Sequence, residues 1–238
     1  MVQYRDISVV IPAFNEEENI EKIVYDTISA LKDWTEKFEI IVVDDGSSDN
    51  TYTIAQGLAA KGLIKVLRHN RNMGSGRAVL TGFFNASCHF VTYIGADGQF
   101  NPQEIKLFFP LMDDVDIIVA YRSSRSGYSI YRLFNSFVYL YLIRLLFGLN
   151  VRDINWVHIY RKEVVENIKV NSNGVFMLGE ILIKANRKKF KIGEVRTSYY
   201  PRLAGKAKCS NPKVAIKAIF EIINLWLALK FGIKNNEN

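Results

Sequence analysis

Carboxylates that follow short apolar runs dominate the polar chemistry of the first hundred residues. ISVVI (7–11) passes through Pro12 to Phe14, Asn15 and Glu16. EIIVV (39–43) delivers Asp44 and Asp45, followed by Gly46, Ser47, Ser48 and Asp49, and Tyr93-Ile94 opens onto Gly95, Ala96, Asp97, Gly98 and Gln99. Such carboxylates accept base N–H groups or ribose hydroxyls, or hold a divalent cation. Brought together, they repel one another unless a cation or a donor-rich ligand sits among them. Each stretch also has an ordinary reading, with Asn15 capping a helix that carries Glu16 in its first turn and Ser48 or Asp49 capping the next. A further loop, RHNRNMGSGRA (68–78), sets Arg68, Arg71 and Arg77 around Gly74 and Gly76. A permissive, positive backbone before a helix suits phosphate. It contains no G-x-x-x-x-G-K-[ST], and no G-x-G-x-x-G follows the first strand, which disfavours a P-loop ATPase and a dinucleotide enzyme. His69 reads as a structural polar residue.

The apolar runs 7–11, 39–43, 64–67, 89–94 and 116–120 predict strands buried on both faces, because their apolar residues are contiguous and do not alternate. Helical patterns near 16–32, 49–61, 76–87 and 102–112 separate them, so the expected class is α/β, a mostly parallel central sheet flanked by helices. Ligands bind such sheets beyond the carboxyl ends of the strands. Glu16, Asp44, Asp45, Asp97 and Gln99 are therefore expected to converge on one edge.

After Arg122 the pattern changes. Residues 131–149 are helical and nearly apolar, but Arg132, Asn135, Ser136 and Arg144 interrupt them. The segment would be costly as a free membrane span and reads equally as a core helix or as one lying flat on a bilayer. No window reaches about 18 uninterrupted apolar residues, so no spanning helix is expected. In 213–234, Lys213, Lys217, Glu221 and Asn224 form a narrow polar stripe on an otherwise apolar helix, with Trp226 and Phe231 on the broad face and Lys230 and Lys234 at the end. Its partner is its own domain, a second copy or a membrane surface, and the basic flank favours the membrane.

Charge divides the same way. Residues 1–121 carry 10 Lys and Arg against 17 Asp and Glu, whereas 122–238 carry 21 against 7, net −7 and +14 in a chain of +7. The second part should face something anionic. Nucleic acid is disfavoured as that partner, because the acidic strand edge of the first part would repel a phosphate backbone. Cys88 and Cys209 lack pairing or metal spacing, and the N-terminus lacks a signal-peptide layout, so a reducing cytoplasm is the expected setting.

VVIPAFNEEENI (9–20), IIVVDDGSSDNT (40–51), NMGSGRAVLTGF (72–83) and ADGQFNPQEI (96–105), in this order and spacing, resemble family 2 glycosyltransferases of the GT-A fold, especially the dolichyl- or polyprenyl-phosphate glycosyltransferases. The similarity continues through DIIVAYRSSRSG, RDINWVHIYRKEVV, GEILIKA and IGEVRTSYYPRLAGKAK, nearly the whole chain. It implies a donor half (1–121), an acceptor half of the same domain (122–210) and a C-terminal amphipathic membrane-associating helix (211–238). It further implies transfer, with inversion, from a nucleotide-sugar donor to a polyprenyl phosphate on the cytoplasmic face of a membrane, with Mg²⁺ or Mn²⁺ as cofactor. The resemblance assigns Pro12, Phe14, Glu16, Val43, Asp44, Asp45, Ala96, Asp97 and Arg202 to the donor, and Asp97 and Gln99 to the metal. Arg122, Arg132 and Lys208 go to the acceptor phosphate, and Asp97, Arg122 and Asp153 to catalysis; Asp153 reads equally as a structural partner of Arg152. Two departures stand out: Gly95 replaces the family's first metal-motif Asp, and Trp156 and Val157 stand where Ser-Gly-Phe is usual. The alternatives are a related transferase acting on a soluble hydroxyl acceptor and a non-catalytic nucleotide-sugar-binding module.

Overall fold

The computed structural model describes residues 6–124, 128–172, 174–202 and 212–232. Strands β1 (Ile7–Ala13), β2 (Phe38–Asp44), β3 (Lys65–Arg68), β4 (Phe90–Tyr93), β5 (Ile117–Arg122), β6 (His158–Arg161) and β7 (Ile192–Thr197) form one sheet in the order β3-β2-β1-β4-β6-β5-β7. Every pairing is parallel except those of β6, which runs antiparallel to both β4 and β5. β1 and β2 lie inside the sheet and are buried through most of their length; β3 lies at the edge with Lys65 and Arg68 exposed, so it is not the doubly buried strand its composition suggests.

Helices α1 (Ile20–Lys32), α2 (Thr51–Ala60) and α3 (Ser75–Phe84) follow the first three strands, and a 3₁₀ helix (Pro102–Leu111) follows β4. α1 buries Ile20, Ile23, Val24, Thr27, Ile28 and Leu31, one stripe at helical spacing. It begins four residues later than the sequence pattern implies: Asn15 adopts a left-handed backbone (φ 51°), the N-cap position falls to Asn19, and Glu16 lies in the turn before the helix. Asn is among the few side chains that tolerate that conformation. The two sides of the sheet each carry an apolar core, one built on Ile7, Val9 and Ile11 of β1, the other on Val10 of β1 with Ile41 and Val43.

The second half adds α4 (Ile130–Phe147), α5 (Lys162–Glu166), α6 (Met177–Arg187) and α7 (Pro212–Phe231). α4 starts on Ser129, whose hydroxyl accepts the Arg132 N–H, and stops at Gly148 in the left-handed region. Its buried residues are Tyr139 and Ile143. Ile130, Phe134 and Phe137 are 87%, 62% and 66% exposed, so this is not the buried core helix that its apolar composition allowed. By length and composition it is also apolar enough to cross a membrane. α7 packs against α4 through a stripe of Ala218, Ile222 and Leu225 and leaves Ile216, Phe220, Ile223 and Phe231 exposed. One apolar side of α7 is thus covered by its own domain, and another is open, as is most of the apolar surface of α4.

Candidate active site

The sheet order sets the ends of β1, β2 and β4 side by side, and the three acidic turns meet there. The β1 and β2 turns are laced together. Asn15 N–H donates to Ser47 Oγ (2.9 Å), Ser48 N–H to Asn15 Oδ1 (2.9 Å), Glu16 N–H to Thr51 Oγ1 (2.8 Å) and Glu17 N–H to Asp49 Oδ2 (3.2 Å). Asp49 also accepts the Thr51 N–H at the start of α2, although the N-cap position itself is held by Asn50, just after the Ser48 or Asp49 expected there. Gly46 lets the 68–78 loop close over the β2 turn: its φ is +73°, and a Cβ there would stand 2.6 Å from the Arg71 carbonyl carbon.

Within this frame the acids have different duties. Asp45 is buried and binds the glycine-rich loop, accepting the Met73 N–H (2.9 Å) and the Gly74 N–H (2.8 Å) and lying 2.7 Å from His69 Nδ1. His69 Nε2 meets Thr81 Oγ1 at 2.9 Å, the structural role its sequence setting implied. Asp44 is fully buried. One oxygen accepts the Ser47 N–H (3.2 Å); the other has no hydrogen-bond partner, although Arg68 Nε stands 3.1 Å away as a counter-ion. Arg68 lies over the Tyr52 ring (4.2 Å), so this arginine of the positive loop is committed to β2. Pro12 and Phe14 are half-buried at the end of β1, while Val43 and Ala96 are buried with their side chains in the two cores.

At the β4 turn, Asp97 Oδ1 accepts the Gln99 N–H (3.1 Å) and Oδ2 lies 2.9 Å from Arg202 Nη2. Arg202 also reaches Glu16, Nη1 to Oε1 at 3.6 Å. The mutual repulsion expected of the gathered acids is therefore relieved from within, by backbone N–H groups and arginines. Among the described residues no group of three or more His, Cys, Asp or Glu side chains is disposed to hold a metal ion. Gly95 contributes no donor, and a Cβ there would lie 3.2 Å from Asp97 Oδ1. One carboxylate with the neighbouring Gln99 amide fits a divalent cation as part of a coordination sphere that a ligand's phosphates would complete.

A contact chain runs from this rim into the second half. Gln99 Nε2 donates to Tyr199 Oη (2.6 Å), and the Tyr199 ring lies 5.4 Å from Tyr128 and 5.7 Å from Trp156. Arg122 sits over Trp156 (4.9 Å), donates to Tyr128 Oη, and holds Asp153 in a bidentate pair, Nε to Oδ2 at 2.7 Å and Nη2 to Oδ1 at 2.8 Å. Asp153 is thus a partner of Arg122; its sequence neighbour Arg152 points elsewhere, to Glu194 and over Tyr121. Burial opposes the charge of Arg122, and Asp153 more than offsets it, raising its pKa. Arg132 joins the cluster over the Tyr128 ring, 3.6 Å from its centre. Trp156, one of the two departures from the family pattern, enters the cluster with its indole donating to Thr197 Oγ1 (2.9 Å), whereas nothing in the local pattern of Tyr128 or Tyr199 links them to Arg122. Lys208 lies outside the described residues, as do Cys209 and Lys234. His158, fully buried on β6, is pushed down to about 3 by burial and stays neutral.

Residues 8–169 match the model of glycosyl transferase family 2. A dolichol-phosphate mannosyltransferase of Pyrococcus furiosus is 34% identical over 226 residues, 91% of this chain and 61% of that protein. An undecaprenyl-phosphate 4-deoxy-4-formamido-L-arabinose transferase of Serratia proteamaculans is 30% identical over 92% of this chain and 67% of its own length. The chain thus spans about two thirds of these relatives. Among solved structures, glucosyl-3-phosphoglycerate synthase from Mycobacterium tuberculosis, in complex with Mn²⁺, UDP and glucosyl-3-phosphoglycerate, superposes with a TM-score of 0.71 at 20% identity, covering 98% of this chain and 82% of that one. At that identity the likeness establishes the shared GT-A fold.

Proposed function

Because this chain belongs to glycosyl transferase family 2, we propose that it moves a sugar, with inversion, from a nucleotide-sugar donor to the phosphate of a polyprenyl lipid at a membrane surface. The single observation that carries this reading is the continuous path from the acidic rim through Gln99, Tyr199 and Tyr128 to Arg122 and Arg132. It joins a place for a nucleotide to a place for a second phosphate.

At the donor end, Glu16 accepts ribose or base donors against Phe14, Asp44 joins it only when Arg68 uncovers its buried carboxylate, and Arg202 meets the diphosphate. Asp97 and Gln99 would hold a divalent cation, whose chemistry when bound is to neutralise charge on the departing nucleoside diphosphate. At the acceptor end, Arg122 and Arg132 flank Tyr128. Arg122 has two guanidinium N–H groups beyond those given to Asp153 and Tyr128, enough for a phosphate. Lys208 is assigned to the same phosphate.

The state of Asp153 favours a phosphate acceptor over a soluble hydroxyl. A hydroxyl nucleophile needs a base, and Asp153 has both oxygens committed to Arg122. A phosphate monoester is anionic near neutral pH and attacks the anomeric carbon without one. The exposed apolar face of α4 and α7 stands on the acceptor half, where a lipid's isoprenoid chain needs cover. On this reading residues 1–121 serve the donor, 122–210 the acceptor and 211–238 the membrane, on its cytoplasmic face. The test is incubation of purified protein with polyprenyl phosphate and a panel of nucleotide sugars, with and without Mg²⁺ or Mn²⁺, following glycolipid by chromatography. Transfer only to soluble saccharides, or binding without transfer, overturns it.

A further inference from the structure

We propose that Arg202 is a built-in counter-ion that occupies the cation position of the donor site and yields it only to a diphosphate, so that cation binding at Asp97 is conditional on the donor. The proposal rests on the donor-site reading above and adds an order of events to it.

Both oxygens of Asp97 are engaged. Oδ1 is taken by the Gln99 N–H and Oδ2 by Arg202 Nη2, and the other arm of the same guanidinium reaches Glu16. A cation seeking Asp97 must displace Arg202 or share the carboxylate with it. A second carboxylate at position 95 would give the cation a place to bind beside the arginine, but Gly95 has no side chain. Two positive charges at such close range repel more strongly at a partly buried surface than in water, and a divalent ion doubles that repulsion. The Arg202, Glu16 and Asp97 side chains are 21%, 11% and 20% exposed, so screening by solvent is incomplete.

The arginine is delivered from a fixed support. After β7, Ser198 N–H donates to Glu104 Oε2 (2.7 Å) and Tyr200 N–H to the Gln99 carbonyl (3.0 Å), which pins the strand exit across the β4 turn two residues before Arg202. The guanidinium therefore needs only a side-chain rotation to leave Asp97. A diphosphate offers it paired, planar acceptors in place of two separate carboxylates. Once it swings to the diphosphate, Asp97 is released and the same diphosphate supplies the ligands that Gly95 does not. Linkage then requires that cation and diphosphate strengthen each other's binding.

The experiment is calorimetric titration of wild type, Arg202→Gln, and the Asp97→Asn/Arg202→Gln double variant with Mn²⁺ alone, and separately with UDP and GDP without metal. The expected result is Mn²⁺ binding about tenfold or more tighter in R202Q than in wild type, a gain that vanishes in the double variant, with nucleotide binding about tenfold weaker in R202Q. Circular dichroism of each variant checks the fold, and Arg202→Lys, which keeps the charge without the fork, should stay near wild type for Mn²⁺. Equal Mn²⁺ affinity in wild type and R202Q, no Mn²⁺ binding by R202Q, or a gain that survives loss of Asp97 each overturns the proposal. Failure of wild type to bind either nucleotide would instead sink the donor-site reading beneath it. Failure of glycolipid synthesis with these titrations intact would sink the acceptor reading alone.

Discussion

The rim beyond β1, β2 and β4 and the outer face of α4 and α7 solve opposite problems. At the rim, Asp45, Asp49, Asp97 and Glu16 each meet a backbone N–H or a cationic side chain of the chain itself, so a ligand entering there must exchange partners. On the helical face, Phe134, Phe137, Phe220 and Phe231 meet solvent, and nothing need be displaced to cover them. The first surface is suited to selection, because exchange favours a ligand that reproduces every lost contact. The second is suited to adhesion, since apolar burial has no directional requirement. Arg122 and Asp153 stand between the two.

Breaking that junction gives the largest expected effect. Asp153→Ala leaves the Arg122 guanidinium buried with its main partner gone, a change of about 3–5 kcal/mol in unfolding free energy. Chemical denaturation measures it. Replacing both residues by apolar ones of similar volume should recover most of the stability and none of the transfer activity. If Asp153→Ala unfolds like wild type, the pair is not what couples the halves.

At the rim the next effect falls on rate and leaves the fold intact. Asp97→Ala removes a partly exposed side chain and should lower turnover about 10²–10³-fold, the scale of losing one preorganised electrostatic contact. Steady-state kinetics beside a thermal melt separates the two outcomes. An unchanged rate would remove Asp97 from the chemistry.

The same contrast explains what the sequence disclosed. β1 and β2 are contiguous β-branched runs ending in acids, so both the strands and the polar rim can be read locally. β6 (HIYR) and β7 (IGEVRT) are short and mixed, and went unread. Yet β6 reverses direction, enters between β4 and β5, and carries the segment 152–157 to the site. The pairing of Asp153 with Arg122 spans 31 positions, whereas the neighbour Arg152 looks the better candidate in one dimension. Likewise α4 has the composition of a core helix, and only the layer it joins decides that most of it stays outside. Local pattern reveals which residues are polar at a strand end; the partner each one meets depends on the strand order.

On the helical face, Phe134→Ser with Phe137→Ser should reduce sedimentation with anionic lipid vesicles about tenfold while leaving the Mn²⁺ and nucleotide titrations unchanged. A Phe is worth about 1.5–3 kcal/mol when fully buried, and one that is half-seated in an interface contributes a part of that. Unchanged vesicle binding would assign the face to a second copy of the chain or another protein, which sedimentation velocity would reveal.

The smallest effect is in pH, and its sign differs between the two regions. At the edge of the sheet remote from the rim, burial raises the pKa of Glu39, but hydrogen bonds from Ser8 and Ser87 outweigh it and hold the carboxyl below its usual range. A depressed carboxyl adds stability that is complete above the unfolded value near pH 4.3 and is lost as pH falls through the lower folded value. On α7 the case is reversed. Burial and the nearby Glu180 raise Glu221, with Lys217 opposing. An acid raised in the fold favours the docked helix while protonated, so α7 loses stability as pH rises through the unfolded value and then the folded one. Hydrogen exchange of α7 amides should therefore slow, after correction for intrinsic rates, as pH falls through the raised Glu221 value toward the unfolded one, while the contribution of Glu39 holds until the pH falls below the unfolded carboxylate value. Glu221→Gln should slow that exchange at pH 7 and abolish its pH dependence. Equal pH responses in α7 and the sheet would mean that the helix is no softer than the domain it covers.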